Sequence, residues 1–507
     1  MTTTSTTTTT GTDPTTATTM LRARPAGKPQ GALGAIATRD QQETRRREHH
    51  EADIVIVGAG ILGCAAAAAF GKQGRSVILL ERSLKEPDRI VGELLQPGGV
   101  RALEELGLAH CLEDIDAIPC YGYQIAFHKE DVHIPYPSNL VKGLDRPEGR
   151  SFHHGRFIQK LRDAARQTPN VTVVETTVTD VVRDSYTGRV LGVESQTQGR
   201  PDYYFGGLTL VADGYASKFR KTYVPHQPEV RSKFFGLELI DAELPMPNHG
   251  HVILSDAPPI LIYQIGTHET RILIDVPENL PSASLKEGGV KNHLLNVALP
   301  RLPKSVQPSF RHAIETGKLR SMPNSFLPPT TQKTPGLIML GDAMNMRHPL
   351  TGGGMTVAFN DVVHLSRLLA PENVPNLEDT SAVLNAMSRF HWARKDSSSV
   401  INILAMALYS LFAADDAMLT ALQNGCFRYF QRGGKCISEP CGLLSGLLKN
   451  PLVLVYHFFA VAFYAIWCRA MQGPVWRIPY VFLIESVLII YKACIVIGPY
   501  LLAEMRA

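Results

Sequence analysis

Three stretches of the chain predict an α/β fold built in three parts. The first is Asp53-Ile-Val-Ile-Val-Gly-Ala-Gly-Ile-Leu-Gly63, followed by an alanine run and then Val77-Ile-Leu-Leu-Glu81. It reads as buried strand, glycine turn, helix and second strand ending in a carboxylate, the Rossmann-type dinucleotide unit. The second is a mid-chain run of alternating strands and turns, from about Phe234 to Val276, which predicts an inserted, mostly antiparallel β domain. The third is near-continuous apolar sequence after residue 450, which predicts a C-terminal helical, membrane-associated region.

In the opening unit, Gly58, Gly60 and Gly63 occupy the G-x-G-x-x-G positions. Gly58 allows the tight turn, Gly60 lets the backbone approach a pyrophosphate, and Gly63 lets helix and strand pack closely. The helix N-terminus offers unpaired N–H groups and the positive end of its dipole to phosphates. Glu81 would accept hydrogen bonds from ribose hydroxyls. This unit alone leaves the identity of the dinucleotide open.

Composition narrows the class. Over 507 residues, 44% are hydrophobic and 19% charged, and the formal net charge is +4. So small an excess, without a long basic tract, gives no basis for a nucleic-acid partner. The eight cysteines (64, 111, 120, 426, 436, 441, 468 and 494) contain no C-x-x-C pair, which predicts free thiols rather than zinc or a redox dithiol, and a cytosolic catalytic domain.

Residues 1–50 open on a Thr-rich tract too poor in apolar residues to fold, and are expected to be disordered. The basic, acid-free stretch from Met20 to Arg39 bears a faint likeness to a mitochondrial transit peptide, but a solvated tail is the default. Asp88 to Gly99 forms a loop in which Arg89 suits a phosphate or a cofactor edge, and a short helix is expected over Val100–Leu106. His153-His154-Gly-Arg156-Phe157 opens an amphipathic helix running through Arg166. Arg156 falls in its first turn, where a cation opposes the dipole, so contact with an anionic ligand is expected. Strands follow at Val171–Glu175, Thr177–Val182 and Leu208–Ala212, the last ending in Asp213-Gly214.

A second focus comes late. The buried strand Gly336–Leu340 delivers Asp342 to a loop, and Gly352, Gly353 and Gly354 lead into a helix from Thr356 to Leu369. Three glycines in a row cost backbone entropy, and the helix start they precede suits a second anionic or electron-rich group. Beyond residue 380 the chain reads as helical. Ser397–Ala414 is an apolar helix, Leu452–Trp467 is apolar but short for a span, and Tyr480–Leu502 is interrupted by Glu485 and Lys492. Against the roughly 20 apolar residues that a span needs, the expectation is helices dipping into one leaflet or lying at its surface, flanked by Trp467, Trp476, Arg469 and Arg477.

The set of fingerprint, mid-chain Asp-Gly and late Gly-Asp before a glycine-rich helix start resembles the FAD-dependent monooxygenases of the p-hydroxybenzoate hydroxylase type. Longer motifs narrow the resemblance to the squalene monooxygenase (squalene epoxidase) family: residues 84–93, Phe152-His-His-Gly-Arg-Phe157, residues 212–221, Leu319-Arg-Ser-Met-Pro323, residues 340–359, Asn450-Pro-Leu-Val-Leu454 and His457-Phe-Phe-Ala-Val-Ala462. It covers about residues 50 to 505. The resemblance implies one FAD extended across the fold. Ile61 and Leu62 would lie over the pyrophosphate and Glu81 with Arg82 at the adenosine. Arg89, Leu94, Arg156 and the backbone near Val178 would complete the cradle. Asp342 would meet the ribityl–phosphate region, and Met355, after Gly353 and Gly354, would sit beneath the isoalloxazine. Tyr123, the catalytic candidate, would be an aromatic near the flavin, and Tyr263 a second substrate-pocket residue. Animal members of the family carry a hydrophobic segment before the catalytic domain, and here that region is Thr-rich, so membrane attachment is expected to fall on the C-terminal helices.

The implied domains are the tail, 1–50; a discontinuous FAD-binding domain, 51–120, 150–215 and 333–370; a β-sheet substrate domain, 121–149 and 216–332; and the helical region, 371–507. The implied reaction converts squalene, O2 and two NADPH-derived electrons to (S)-2,3-oxidosqualene and water in sterol (ergosterol) biosynthesis. No second dinucleotide fingerprint is present, so electrons would come from a separate NADPH-dependent flavoprotein reductase. The expected location is the endoplasmic reticulum membrane, microsomal and lipid-droplet fractions included, with membrane lipid as a further partner and the catalytic domain facing the cytosol. A hydrocarbon offers no acid, base or hydrogen-bonding handle, so neither a triad nor a carboxylate pair is expected, and the cysteine spacing indicates no metal. The rival within enzymes is a membrane flavoprotein reductase of another polyprenyl lipid, which would not need O2.

Overall fold

The computed structural model describes residues 48–138 and 146–505. The Thr-rich tract and the Met20–Arg39 stretch lie outside the described residues.

Two seven-stranded sheets organise the chain. In the first, Val171–Glu175, Val77–Glu81, His50–Val57 and Arg200–Val211 run parallel in that spatial order. The long strand Arg200–Val211 has two neighbours on its outer side. Its first half pairs antiparallel with Val190–Thr197, and its last three residues pair in parallel with Leu337–Met339. The late strand is thereby set beside the first glycine turn. Ile54, Val55 and Ile56 are fully buried, as expected where both faces of a parallel sheet are covered. The helix Ile61–Lys72 covers one face, and its buried Ala65–Ala69 run lets the helices His154–Gln167 and Gly354–Leu368 pack close against it.

The second sheet follows the order Arg320–Phe326, Glu229–Ile240, Glu269–Pro277, Ile260–Gln264, Gly250–Leu254, Gly122–Phe127 and Glu130–Pro135. It is antiparallel except where Gly250–Leu254 meets Gly122–Phe127 in parallel. Side chains alternate across it with period two. Ile260, Ile262, Ile272 and Ile274 pack on Phe310 and its neighbours, while Leu261, Tyr263 and Leu273 face the other way, toward the first domain. A small third sheet of Leu94–Leu95, Gly149–Ser151 and Ile118–Cys120 joins the two halves.

The C-terminal part differs from the sequence expectation in extent. The apolar stretch after Ser397 is the second half of a 33-residue helix, Thr380–Phe412, whose first turn is capped by Asp379. A 113° bend separates it from Ala417–Gln431. The stretch expected to be short is a 21-residue helix, Pro451–Met471: Asn450 caps it just before Pro451, and it continues past Trp467 to Met471. The last helical run is 31 residues, Val475–Met505. Both are long and apolar enough to cross a membrane. The two charges that interrupted the last stretch are paired: Glu485 with Arg469 (3.0 Å) and Arg477 (2.7 Å), and Lys492 with Asp416 (2.5 Å). One side of this pair of helices packs on the bundle through Ala462, Ala465, Ile489 and Ala493. The other side exposes Leu452, Phe463, Trp476 and Leu483.

Candidate functional site

Both glycine turns open onto one continuous cavity, whose far wall is the inner face of the second sheet. Gly60, Ile61 and Leu62 of the first turn line it together with Gly214, Gly341 and Asp342. Gly352, Gly354 and Met355 line the part that meets Tyr123, Val252, Leu261, Tyr263 and Leu273.

The three glycines of the first turn do different work. Gly58 has φ +103°, and a Cβ there would meet the Ala212 carbonyl oxygen at 2.5 Å. A Cβ on Gly63 would meet the Gly58 carbonyl oxygen at 1.9 Å, so the helix touches the turn. A Cβ on Gly60 would meet nothing within 4 Å, so the backbone there faces open space. The helix begun at Ile61 has no side-chain cap and no acid in its first turn. Its orphan N–H groups are thus left for an anion. The helix begun at Gly354 is likewise uncapped, and the Arg347 guanidinium, at 3.8 Å, is all that a Gly354 Cβ would meet.

Polar groups around the cavity are left in states that suit a ligand. Arg89 lines it, and among the described residues its hydrogen-bond partner is only the Met322 sulfur, at 4.0 Å. His154 Nδ1 donates to the Gly92 carbonyl (2.7 Å), leaving the buried Nε2 without a partner. Burial, with Arg89 nearby, pulls its pKa down to about 3, so the ring is neutral and Nε2 is an acceptor. Asp213, between the lining residues Ala212 and Gly214, has a buried Oδ1 with no partner among the described residues. A flavin dinucleotide, with anionic phosphates and hydrogen-bonding ring edges, fits this donor and acceptor set.

The structure brings several of the predicted residues together. Ile61, Leu62, Arg89, Leu94, Asp342, Gly354, Met355, Tyr123 and Tyr263 all line the cavity. Others do not. Arg156 pairs with Asp116 at 3.7 Å, outside the lining. The helix turns about 100° per residue, so it is His154, two positions earlier, that faces the cavity. Glu81 accepts from the Ala59 N–H (2.8 Å) and lies 3.8 Å from the buried Arg162, so it braces the first turn from behind. Arg82 is exposed, and Val178 is buried with its carbonyl taken by Lys218. Gly353 is closed off by Ile401, whose Cγ2 would lie 2.4 Å from an added Cβ.

Sequence reasoning missed the residues that tie the pieces together. Arg220 donates to the carbonyls of Gly214 (3.1 Å), Tyr215 (2.8 Å), Asp342 (3.0 Å) and Ala343 (3.1 Å), locking the Asp-Gly and Gly-Asp loops to each other. Gln96 is fully buried between Tyr123, Tyr136 and the Thr351 carbonyl. Glu93 binds Arg271 and Tyr263. Burial raises both tyrosine pKa values well above the ordinary phenol range, with Glu93 adding to the effect at Tyr263. Both hydroxyls stay protonated and committed, and the rings remain to face the cavity.

Comparison with known proteins agrees with this geometry. The family model for squalene epoxidase matches residues 205–483, and that for glucose inhibited division protein A matches residues 53–217. A squalene epoxidase of Aspergillus fumigatus is 62% identical over 466 residues, covering 92% of this chain and 96% of that protein. The chain belongs to the squalene epoxidase family. A squalene monooxygenase of Mus musculus is 42% identical, over 90% of this chain and 78% of the mouse protein. Among solved structures, a p-nitrophenol 4-monooxygenase from Pseudomonas putida shares the fold, with a TM-score of 0.63 at 17% identity over 79% of this chain and 99% of its own. The family assignment makes the chain an FAD-dependent monooxygenase.

Proposed function

We propose that this protein epoxidises squalene at its terminal double bond, giving (S)-2,3-oxidosqualene in sterol biosynthesis. One atom of O2 enters the substrate, and the other leaves as water with two electrons and two protons. The observation that carries the reading is the single cavity in which two uncapped helix N-termini open onto an apolar sheet face. FAD, when bound and reduced, supplies the activated oxygen.

The chain's own residues bind, orient and keep water out. Val252, Leu261, Leu273 and Met322 offer the hydrocarbon an apolar wall. The hydroxyls of Tyr123 and Tyr263 are tied to Gln96 and Glu93, so neither needs a partner from a substrate that has none to give. The N–H groups at the start of Gly354–Leu368 favour negative charge on the reduced cofactor. Excluding water from this wall protects the activated oxygen from unproductive decay.

The exposed apolar side of the last two helices suits a bilayer, where squalene is dissolved, so that the substrate need not cross water. Electrons come from NADPH through a separate flavoprotein reductase, and the membrane is that of the endoplasmic reticulum with the catalytic part on its cytosolic side. The deciding experiment supplies purified protein with squalene, NADPH, reductase and measured O2. Epoxide and consumed O2 should appear in equal amounts, and product formed anaerobically would overturn the proposal in favour of a polyprenyl reductase.

A further inference from the structure

The polar groups beneath the second glycine turn continue out of the FAD-binding region and into the last helix. Arg347 lines the cavity, and its Nη1 reaches the Gly354 carbonyl at 3.5 Å. Its Nη2 donates to the Asn345 carbonyl (2.8 Å) and to Asn345 Oδ1 (3.0 Å). Asn345 Oδ1 accepts as well from Arg394 (3.3 Å) and from Asn402 Nδ2 (3.1 Å). The same Asn402 amide donates to Glu504 Oε1 at 2.7 Å. All five side chains are buried.

Charge balance explains why a carboxylate stands at the end of so apolar a helix. The network holds two guanidinium groups, Arg347 and Arg394. Arg394 is matched by Asp361 through two hydrogen bonds of 2.9 and 2.8 Å. Arg347 has Asp342, partly exposed on the cavity wall, as its strongest countercharge, and Glu504 is the buried carboxylate that closes the far end of the network. A buried cation without a countercharge is strongly unfavourable. A glutamate inside a membrane-facing bundle is costly unless it meets such a need.

We propose that Glu504 is a positioning residue for the flavin end of the cavity. It orients Asn402, which with Arg394 fixes Asn345, and Asn345 in turn holds Arg347 beside Gly354 and the cofactor. The last helix is thus part of the active site as well as an anchor. The inference rests on the reading that this cavity holds FAD.

The test uses full-length, membrane-bound protein and three variants: Glu504→Ala, Glu504→Gln and, as a control on the same helix, Lys492→Met, which breaks only the ion pair with Asp416. FAD dissociation constant, flavin midpoint potential and sedimentation with membranes are measured for each. Wild-type protein must hold FAD; if it does not, the cavity reading fails and not this inference alone. Glu504→Ala should weaken FAD binding roughly ten-fold or more while still sedimenting with membranes. Glu504→Gln keeps a hydrogen-bond acceptor for Asn402 and should restore most of the affinity. Because it removes a negative charge, its flavin potential should shift to a more positive value. Wild-type affinity in Glu504→Ala, an unshifted potential in Glu504→Gln, or an equal loss in Lys492→Met would each overturn the proposal. If Glu504→Ala does not fold, the potential of Glu504→Gln decides alone.

Discussion

Glu93 and Arg271 join the two halves of the molecule through a pair of parallel hydrogen bonds, Nε to Oε2 at 2.8 Å and Nη2 to Oε1 at 2.9 Å, with side-chain exposures of 1% and 6%. Glu93 comes from the loop after the first glycine unit and Arg271 from the middle of the second sheet. Their attraction holds Arg271 charged, its pKa raised above the usual guanidinium value by Glu93. Breaking such a pair strands a buried charge, whereas replacing both members with apolar side chains does not. Glu238, 3.3 Å from Arg271 but 41% exposed, gives only weak compensation. Glu93→Gln should therefore destabilise the protein by about 3 kcal/mol. The double change Glu93→Met with Arg271→Met should recover most of that loss. Thermal midpoints of the three proteins check this, and additive losses in the double variant would contradict it.

The glycines of the first turn make a sharper pair of expectations. Gly63→Ala drives a methyl group into the Gly58 carbonyl, a backbone atom that cannot yield, so folded protein and bound flavin should be lost together. Gly60→Ala meets nothing in the protein. It should leave the flavin-free thermal midpoint unchanged and weaken FAD binding by about ten-fold or more, because the added methyl occupies the cofactor's space. Equal effects at both positions, in an equilibrium FAD titration, would remove the pyrophosphate from this turn.

The contrast also shows what was legible in the sequence. Gly58, Gly60 and Gly63 act through backbone geometry, which a local pattern encodes, and so do Asp342 and Gly354 at the second turn. Arg220, Gln96, Glu93 and Arg347 act by bridging segments far apart in the chain, and nothing local marks an arginine as a buried clasp rather than a surface charge. Arg156 and His154 illustrate the same limit at close range. Both lie in one motif, and only the phase of the helix relative to its neighbours decides which faces the cavity. The C-terminal helices were legible in kind but not in length or pairing. Glu485 and Lys492 looked like interruptions because Arg469, Arg477 and Asp416 lie on other turns or elements.

That pairing bears on how the membrane attachment should be tested. Removing residues 450–507 would strip apolar cover from the bundle and take Glu504 from its partner Asn402. Loss of membrane binding in such a truncation would thus be mixed with loss of fold. Leu452, Trp476 and Leu483 are 79%, 78% and 74% exposed and contribute little to the bundle. Changing all three to Asp should release the protein from liposomes and leave FAD binding unchanged. Continued sedimentation with vesicles would place the contact on another surface.

Asp275 makes the stability of the second sheet depend on pH. Its side chain is fully buried, with Oδ1 accepting from Ser232 Oγ and from Asn324 Nδ2 at 3.0 Å and Oδ2 unpartnered. Burial, only partly offset by these bonds and Tyr409, pushes its pKa up to about 6. His348 Nε2 lies 3.9 Å away, but burial pulls that ring down to about 3, so it stays neutral through the relevant range. Between the ordinary aspartate value near 4 and 6, the folded protein holds a proton here that the unfolded chain has released. Stability therefore falls as pH rises across that window, and the penalty is complete above it. At pH 7 it is on the order of 3 kcal/mol. Asp275→Asn keeps the shape and an acceptor for Ser232 and Asn324, and carries no charge to desolvate. The variant should match the wild type near pH 4 and gain thermal stability relative to it as the pH is raised to 7. A difference between the two proteins that stays constant from pH 4 to 7 would mean that Asp275 does not titrate there, and that Ser232 and Asn324 stabilise its carboxylate fully.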